Sequence, residues 1–302
     1  MSAPHDHSQQ KNENQSTYVI YDNQQKNEIL RLTEQDSTVT RGMGGVLAEQ
    51  ADPAAFQHIL DVACGPGSWI IEAAQMYPNI SFVGIDINPH MIEYARAQAE
   101  AKHLADRVEF AVVDVLKPLA FSDTSFDLVN LRFGISFTRT WDWPGLFSEL
   151  LRVTRPGGII RITDSELITP STSPATARLQ EMVICAFFRA GHLFAQESTG
   201  LIAHLKPLFT QYGVQQIQEK PHPLKFQAGT AEGQVYRDDM LRVYQAIVPF
   251  LQKWGCYDQE YDAIYQQARR EMEQPDFHVT WNLLTVWGKK PDGDLPDLPL
   301  VE

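Results

Sequence analysis

His58-Ile59-Leu60-Asp61-Val62-Ala63-Cys64-Gly65-Pro66-Gly67-Ser68-Trp69 passes from a short apolar run through a carboxylate and a loop of small residues into a helical pattern. Residues 59–62 are too few for a core helix and are bounded by turn formers. That predicts a buried parallel strand with Asp61 where it ends. Ala63, Gly65 and Gly67 follow at alternate positions, small enough for a ligand to approach the backbone. Ser68 stands where it can cap a helix beginning near Trp69.

The same alternation continues. Residues 80–85 read as a second strand ending at Asp86, with Asn88 capping and Pro89 opening a helix to about Lys102. Residues 108–113 are a third strand ending at Asp114, and residues 126–131 a fourth. Pro144 opens a helix through Leu151, the Arg155-Pro156-Gly157-Gly158 stretch turns the chain, and residues 159–163 form a fifth strand ending at Asp164. Strand–helix alternation means βαβ units and a parallel sheet, which binds ligands at its strand C-termini. A pyrophosphate would seek the helix N-terminus and be repelled by Asp61, whereas a ligand with an ammonium group and a nucleoside would welcome it. Asp86 can accept hydrogen bonds from both ribose hydroxyls. Asp114 can accept from an exocyclic adenine amine, with the Val115 N–H offered to a ring nitrogen. Asp86 alone fits a dinucleotide too; the three acids together do not.

On these residues the chain resembles the class I S-adenosylmethionine-dependent methyltransferases, whose first motif is acidic-x-Gly-x-Gly-x-Gly, Ala63 standing in for the first glycine. Phe126-Asp127-Leu128-Val129 is similar to the family's fourth-strand motif. Glu149-Leu150-Leu151-Arg152-Val153-Thr154-Arg155-Pro156-Gly157-Gly158 resembles the helix and turn before strand five in the ubiquinone/menaquinone-biosynthesis type. The likeness covers residues 59–164 and, more thinly, a strand at 283–290. It implies an α/β fold: a seven-stranded, mostly parallel, doubly wound Rossmann-like sheet with an N-terminal helical lid and a helical insertion near the C-terminal strands. It implies S-adenosyl-L-methionine as cofactor and S-adenosyl-L-homocysteine as product. Asp61, Ala63, Gly65 and Gly67 would then hold the methionyl part, Asp86 the ribose, and Asp114 with Val115 the adenine, with Ile87 also among the cofactor-binding residues. Asn130 and Leu131 complete the cofactor set.

Composition sets the outer bounds. With 302 residues and 34.2 kDa the chain can bury a large core, and 43% hydrophobic with 21% charged residues is ordinary for a globular protein. A formal charge of −13 argues against nucleic acid as partner. Cys64, Cys185 and Cys256 form no CxxC pair, so neither a disulfide framework nor a metal site is expected. No apolar stretch can span a bilayer and the N-terminus has no leader-like apolar segment, so a cytoplasmic protein is expected, as monomer or homodimer. The expected organisation is a polar disordered tail (1–17), a helical lid (18–57), a cofactor-binding core (58–166), a helical substrate cap with the last strands (167–290) and a C-terminal tail (291–302). Within these, helices are expected at residues 23–35, 46–50, 174–192, 201–209, 235–251 and 257–273, and further strands at 214–218 and 282–287.

Methyl transfer from a sulfonium has a neutral leaving group that needs no acid, so catalysis is chiefly positioning and exclusion of water. A base is required only for an acceptor that keeps its proton. The catalytic residues are therefore unknown, with His192, His278 and Arg132 as candidates; His204 is a further histidine of the insertion. His192 also suits a helix C-cap, and Arg132 a salt bridge with Asp164 or Glu166. Tyr18, Tyr21, Phe133 and Phe137 are candidate acceptor contacts, and Arg31 is available to a cofactor carboxylate. Trp141 and Trp143 flank a helix start as a hydrophobic staple or as stacking groups. The expected function is transfer of a methyl group to O, N or C of a small, partly apolar organic acceptor. Two alternatives stand beside it: a catalytically silent cofactor-binding partner or sensor, and an NAD-dependent oxidoreductase.

Overall fold

Five apolar runs become parallel strands because their side chains are covered on both faces. They are β1 (His58–Val62), β2 (Ser81–Asp86), β3 (Val108–Val112), β4 (Phe126–Arg132) and β5 (Thr154–Ser165). In β1 the alternation is explicit: Ile59 joins one apolar cluster with Trp69, Phe82 and Phe110, while Leu60 and Val62 join the other with Phe147, Leu150 and Ile162. A computed structural model describes residues 25–293. The expected 1–17 tail, Tyr18, Tyr21 and the end of the C-terminal tail (residues 294–302) lie outside the described residues.

Two long strands, β6 (Gln215–Gln227) and β7 (His278–Lys289), complete a seven-stranded sheet of order β3-β2-β1-β4-β5-β7-β6, in which β7 runs antiparallel to both its neighbours, β5 and β6. Chain direction reverses its march between β1 and β4, the topological switch point at which such sheets take ligands. Helices α2 (Ser68–Met76) and α3 (Pro89–Ala101) pack their apolar stripes in the cluster around Trp69 and Phe110, and α4 (Trp143–Val153), α5 (Pro174–Arg189) and α6 (Ile202–Gln211) build the larger cluster. Around one end stand α1 (Gln25–Met43), α7 (Ala231–Ala246), α8 (Val248–Lys253) and α9 (Tyr261–Met272), with α1 touching α2, α7 and β6. No described helix is long and apolar enough to cross a membrane.

Several expectations need correction. Gly67, in the left-handed region at φ 75°, is the N-cap of α2, and Ser68 is already helical. The helix expected at 46–50 is a run of turns over 46–49 instead, because Val46 gives its carbonyl to Trp69 Nε1 and Glu49 turns inward to Arg161. Arg155-Pro156-Gly157-Gly158 lies inside the β5 ladder at a register shift, so the expected turn is a bulge. β6 runs well beyond 214–218. Pro221 and Pro223 disguise it, but an edge strand tolerates proline, and His222, Leu224 and Phe226 alternate inward. The expected helix 235–251 breaks at Ile247, where Pro249 starts α8 afresh. Finally, Cys185 on α5 and Cys256 beyond α8 form a disulfide with Cα atoms 5.9 Å apart. Their separation of 71 residues is bridged only by helix packing, which cysteine spacing cannot show.

Candidate functional site

The acids at the tips of β1, β2 and beyond β3 open onto one cavity of about 310 Å³. Asp61, Ala63, Gly65, Asp86, Ile87, Asp114 and Val115 all line it. Gly67, Asn130 and Leu131 do not. Gly67 instead lets α2 approach its neighbours, since a Cβ there would lie 2.7 Å from Phe110 and 2.9 Å from Ala95. A Cβ at Gly65 would meet nothing within 4 Å, as expected for a loop that borders open space. Leu131 is core.

Each acid is held differently. Asp86 accepts from Gly65 N with one oxygen (2.9 Å) and from Asn88 N with the other (2.8 Å), so the carboxylate staples the small-residue loop to β2. Each oxygen keeps a further lone pair for a ligand. Burial raises its pKa against those two N–H donors. Asp114, partly exposed, accepts from Leu116 N and pairs with Lys117. Asp61 is 2% exposed. Its Oδ1 accepts from Asn130 Nδ2 at 2.7 Å, and Asn130 Oδ1 accepts from Arg161 Nη1 at 2.6 Å. Arg161 in turn is clamped by Glu49 at 2.6 Å with both side chains sealed from solvent. Burial pushes Asp61 up to about 7, outweighing the Arg132 guanidinium and the Asn130 amide that favour the anion. An acid so desolvated gains most from a ligand that brings a cation.

The sequence did not single out Glu49 or Arg161. A signal existed: Arg161 interrupts Ile159-Ile160-Arg161-Ile162 in a strand that is otherwise apolar. Ala63 has φ 55°, so the alanine that replaces the usual glycine sits in the left-handed region, and Phe133 does so at φ 57°. Non-glycine residues in that region concentrate at sites where the surroundings over-determine the backbone.

Beyond β4 the cavity turns apolar. Phe133, stacked on Trp281 at 5.7 Å, and Phe137 line it, as do Val183 and Phe187 of α5. Met240, Val243 and Tyr244 of α7 face them, with Gln180 and Thr169 adding polar groups. β1–β3 lie on one side of β4 and β5, β7 and β6 on the other, so the lining acids Asp61, Asp86 and Asp114 fall at one end of the cavity and Trp281 of β7 at the other, mainly apolar end.

At the boundary stands Arg132. Its partner is Asp36 of α1, not Asp164 or Glu166, and Nη1 also reaches Thr40 Oγ1 while the guanidinium lies 5.7 Å over Trp69. Arg31 is 3% exposed, with Glu28 at 2.7 Å and Asp239 of α7 at 2.8 Å. Two acids of its own chain therefore neutralise the group expected to meet a cofactor carboxylate. Neither histidine candidate lines the cavity. His192 is buried, donates from Nδ1 to the Ile135 carbonyl at 3.0 Å, and is held neutral by burial at a pKa of about 4. His278 is exposed at the start of β7. His204 stacks on Phe194 and bonds Ser198. Trp143 is core and Trp141 is exposed beneath Arg139.

Residues 59–158 match the family model described as a methyltransferase domain. Over 120 residues the chain is 38% identical to a demethylmenaquinone methyltransferase of Deinococcus radiodurans, covering 40% of this chain and 48% of that protein. Over 125 residues it is 35% identical to the ubiquinone/menaquinone biosynthesis C-methyltransferase UbiE of Dinoroseobacter shibae, covering 41% and 48%. The chain thus spans about half the length of these two relatives. Among solved structures, the YcgJ protein from Bacillus subtilis superposes with a TM-score of 0.52 at 18% identity, covering 84% of this chain and 99% of that one. A Haemonchus contortus phosphoethanolamine N-methyltransferase gives 0.51 at 20%, covering 83% and 52%. At those identities the structures share the fold.

Proposed function

We propose that the chain, whose residues 59–158 match the family model described as a methyltransferase domain, is a class I S-adenosylmethionine-dependent methyltransferase that moves a methyl group from S-adenosyl-L-methionine to a small, partly apolar organic acceptor. The observation that carries this is the convergence of Asp61, Asp86 and Asp114 on one cavity whose other end is lined by Phe133, Phe187, Met240 and Trp281.

Asp61 is proposed to hold the cofactor's ammonium group, Asp86 its ribose hydroxyls, and Asp114 with Val115 its adenine. The small-residue loop, from Ala63 through Gly65, lies against the methionyl part. When bound, the cofactor supplies a sulfonium methyl whose leaving thioether is neutral. What the protein does is hold the acceptor atom in line and keep water out. Lining the acceptor end with aromatic and aliphatic side chains serves both tasks. Neither histidine candidate faces the cavity, so the reading asks no proton transfer of them. Its proposed place of action is the cytoplasm, with a small molecule as partner.

Two assays run together test the proposal: transfer of labelled methyl across a panel of phenols, hydroquinones, amines and activated ring carbons, and calorimetric titration with S-adenosylhomocysteine. Turnover with tight binding is expected. Binding without turnover on any acceptor would favour the silent partner, and tight NADH binding with no response to S-adenosylhomocysteine would favour the oxidoreductase.

A further inference from the structure

At the apolar end three buried polar side chains meet with a polarity the backbone dictates. Gln180 of α5 accepts from the Thr169 backbone N–H through Oε1 at 3.2 Å. A backbone N–H can only donate, so the amide orientation is fixed and Nε2 must point the other way. Nε2 donates to Thr169 Oγ1 and, at 3.5 Å, to the Tyr244 hydroxyl. Thr169 Oγ1 has a second partner in Tyr236 at 3.0 Å. The Tyr244 hydroxyl, among the described residues, has Gln180 alone. It therefore receives a hydrogen bond and still has its own proton to give, from a ring that is 3% exposed and lines the cavity. A buried donor that lacks an acceptor is costly, and a ligand oxygen placed there would remove that cost.

The charges around the cavity narrow the ligand further. Arg31 and Arg132, the cations at its border, are matched by Glu28, Asp239 and Asp36. The carboxylate facing the apolar end is Glu166, which takes the Thr199 hydroxyl. Among the described residues, an anionic acceptor would meet a carboxylate and no cation that lacks a counter-charge. Burial also raises the Tyr244 phenol well above its ordinary range, which keeps it a donor at every working pH.

We propose that the Tyr244 hydroxyl, oriented by Gln180, is the polar anchor of the acceptor site, and that the acceptor is an uncharged, largely apolar molecule presenting a hydroxyl or carbonyl oxygen. This rests on the proposed division of the cavity into a cofactor end and an acceptor end. Gln180 is a positioning residue: it makes the tyrosine a donor without itself being asked to touch the acceptor.

The test uses the full chain saturated with S-adenosylhomocysteine and three probes of similar size: 2-naphthol, naphthalene and 2-naphthoate. Affinities come from equilibrium dialysis. The parent protein is expected to hold 2-naphthol roughly three- to tenfold tighter than naphthalene, the worth of one net hydrogen bond, and 2-naphthoate least tightly. Tyr244→Phe should abolish the preference for 2-naphthol with S-adenosylhomocysteine affinity unchanged, the latter showing that the variant folds. Gln180→Leu should reduce the same preference. No preference for 2-naphthol in the parent, a preference that survives Tyr244→Phe, or tightest binding of 2-naphthoate would each overturn the proposal. Failure of the parent to bind S-adenosylhomocysteine would appear in the preceding titration and would count against the cofactor end instead.

Discussion

Asp61 shows how one side chain carries both the cost and the use of the site. Its carboxyl is buried enough to titrate near 7, so the apoprotein loses stability as pH rises from 3.8, the ordinary value, to about 7. A ligand ammonium reverses the balance by favouring the anion. Affinity for S-adenosylhomocysteine should therefore fall as pH drops below about 7, by up to about tenfold per unit, and calorimetry from pH 8 to 5 reads it. Asp61→Asn should bind weakly and without that slope. Ala63, two positions on, is the departure from the family motif that the sequence displayed. At φ 55° its Cβ crowds the backbone, and relief of that strain exceeds the flexibility a glycine adds to the unfolded chain. Ala63→Gly is expected to stabilise the fold by about 0.5–1 kcal/mol in urea unfolding.

At the scale of elements, the site is a product of strands that face one another. Asp61 and Asn130 are register partners in β1 and β4, and Asn130 and Arg161 are partners in β4 and β5. The run Glu49–Arg161–Asn130–Asp61 is thus a row across the sheet, closed at one end by the segment that precedes β1. Glu49→Gln would leave Arg161 buried without its counter-charge. A loss of about 3–5 kcal/mol is expected, with weaker S-adenosylhomocysteine binding because Asn130 no longer has a fixed donor behind it. Thermal unfolding and titration of the same sample check both halves. Register of this kind explains what was legible. β1–β5, the three acids and the Asn88 cap lie in local patterns of apolar run, carboxylate and small-residue turn, and they were readable. Residues 46–49 became turns because Trp69 and Arg161 claim them, and β6 was hidden by Pro221 and Pro223, whose tolerance depends on being at a sheet edge. Thr169, Gln180 and Tyr244 come from separate parts of the chain, and nothing in their spacing announces that they meet.

On the scale of the whole molecule, the end proposed for the cofactor is built from the segment that matches the methyltransferase domain, and the end proposed for the acceptor from Phe133 and Phe137 of that segment together with α5, α7 and β7, outside it. α1 spans both, reaching Asp239 of α7 through Arg31 and Arg132 of β4 through Asp36. The Cys185–Cys256 bond fastens α5, one wall of the cavity's apolar end, to the segment after α8. Its loss should lower stability by about 2–4 kcal/mol, read as the difference in urea midpoint between samples with and without reductant. A cytoplasmic location would hold the pair largely as thiols, so the mass of protein trapped with an alkylating agent inside cells reports the compartment together with the bond. The account as a whole stands on three acids serving one nucleoside ligand. Its most direct test is calorimetric titration of S-adenosylhomocysteine into the parent protein and into Asp86→Ala. The account predicts saturable one-site binding in the parent and a loss of roughly tenfold or more in the variant, where two hydrogen-bond acceptors for the ribose are gone; equal affinity in the two proteins would contradict it.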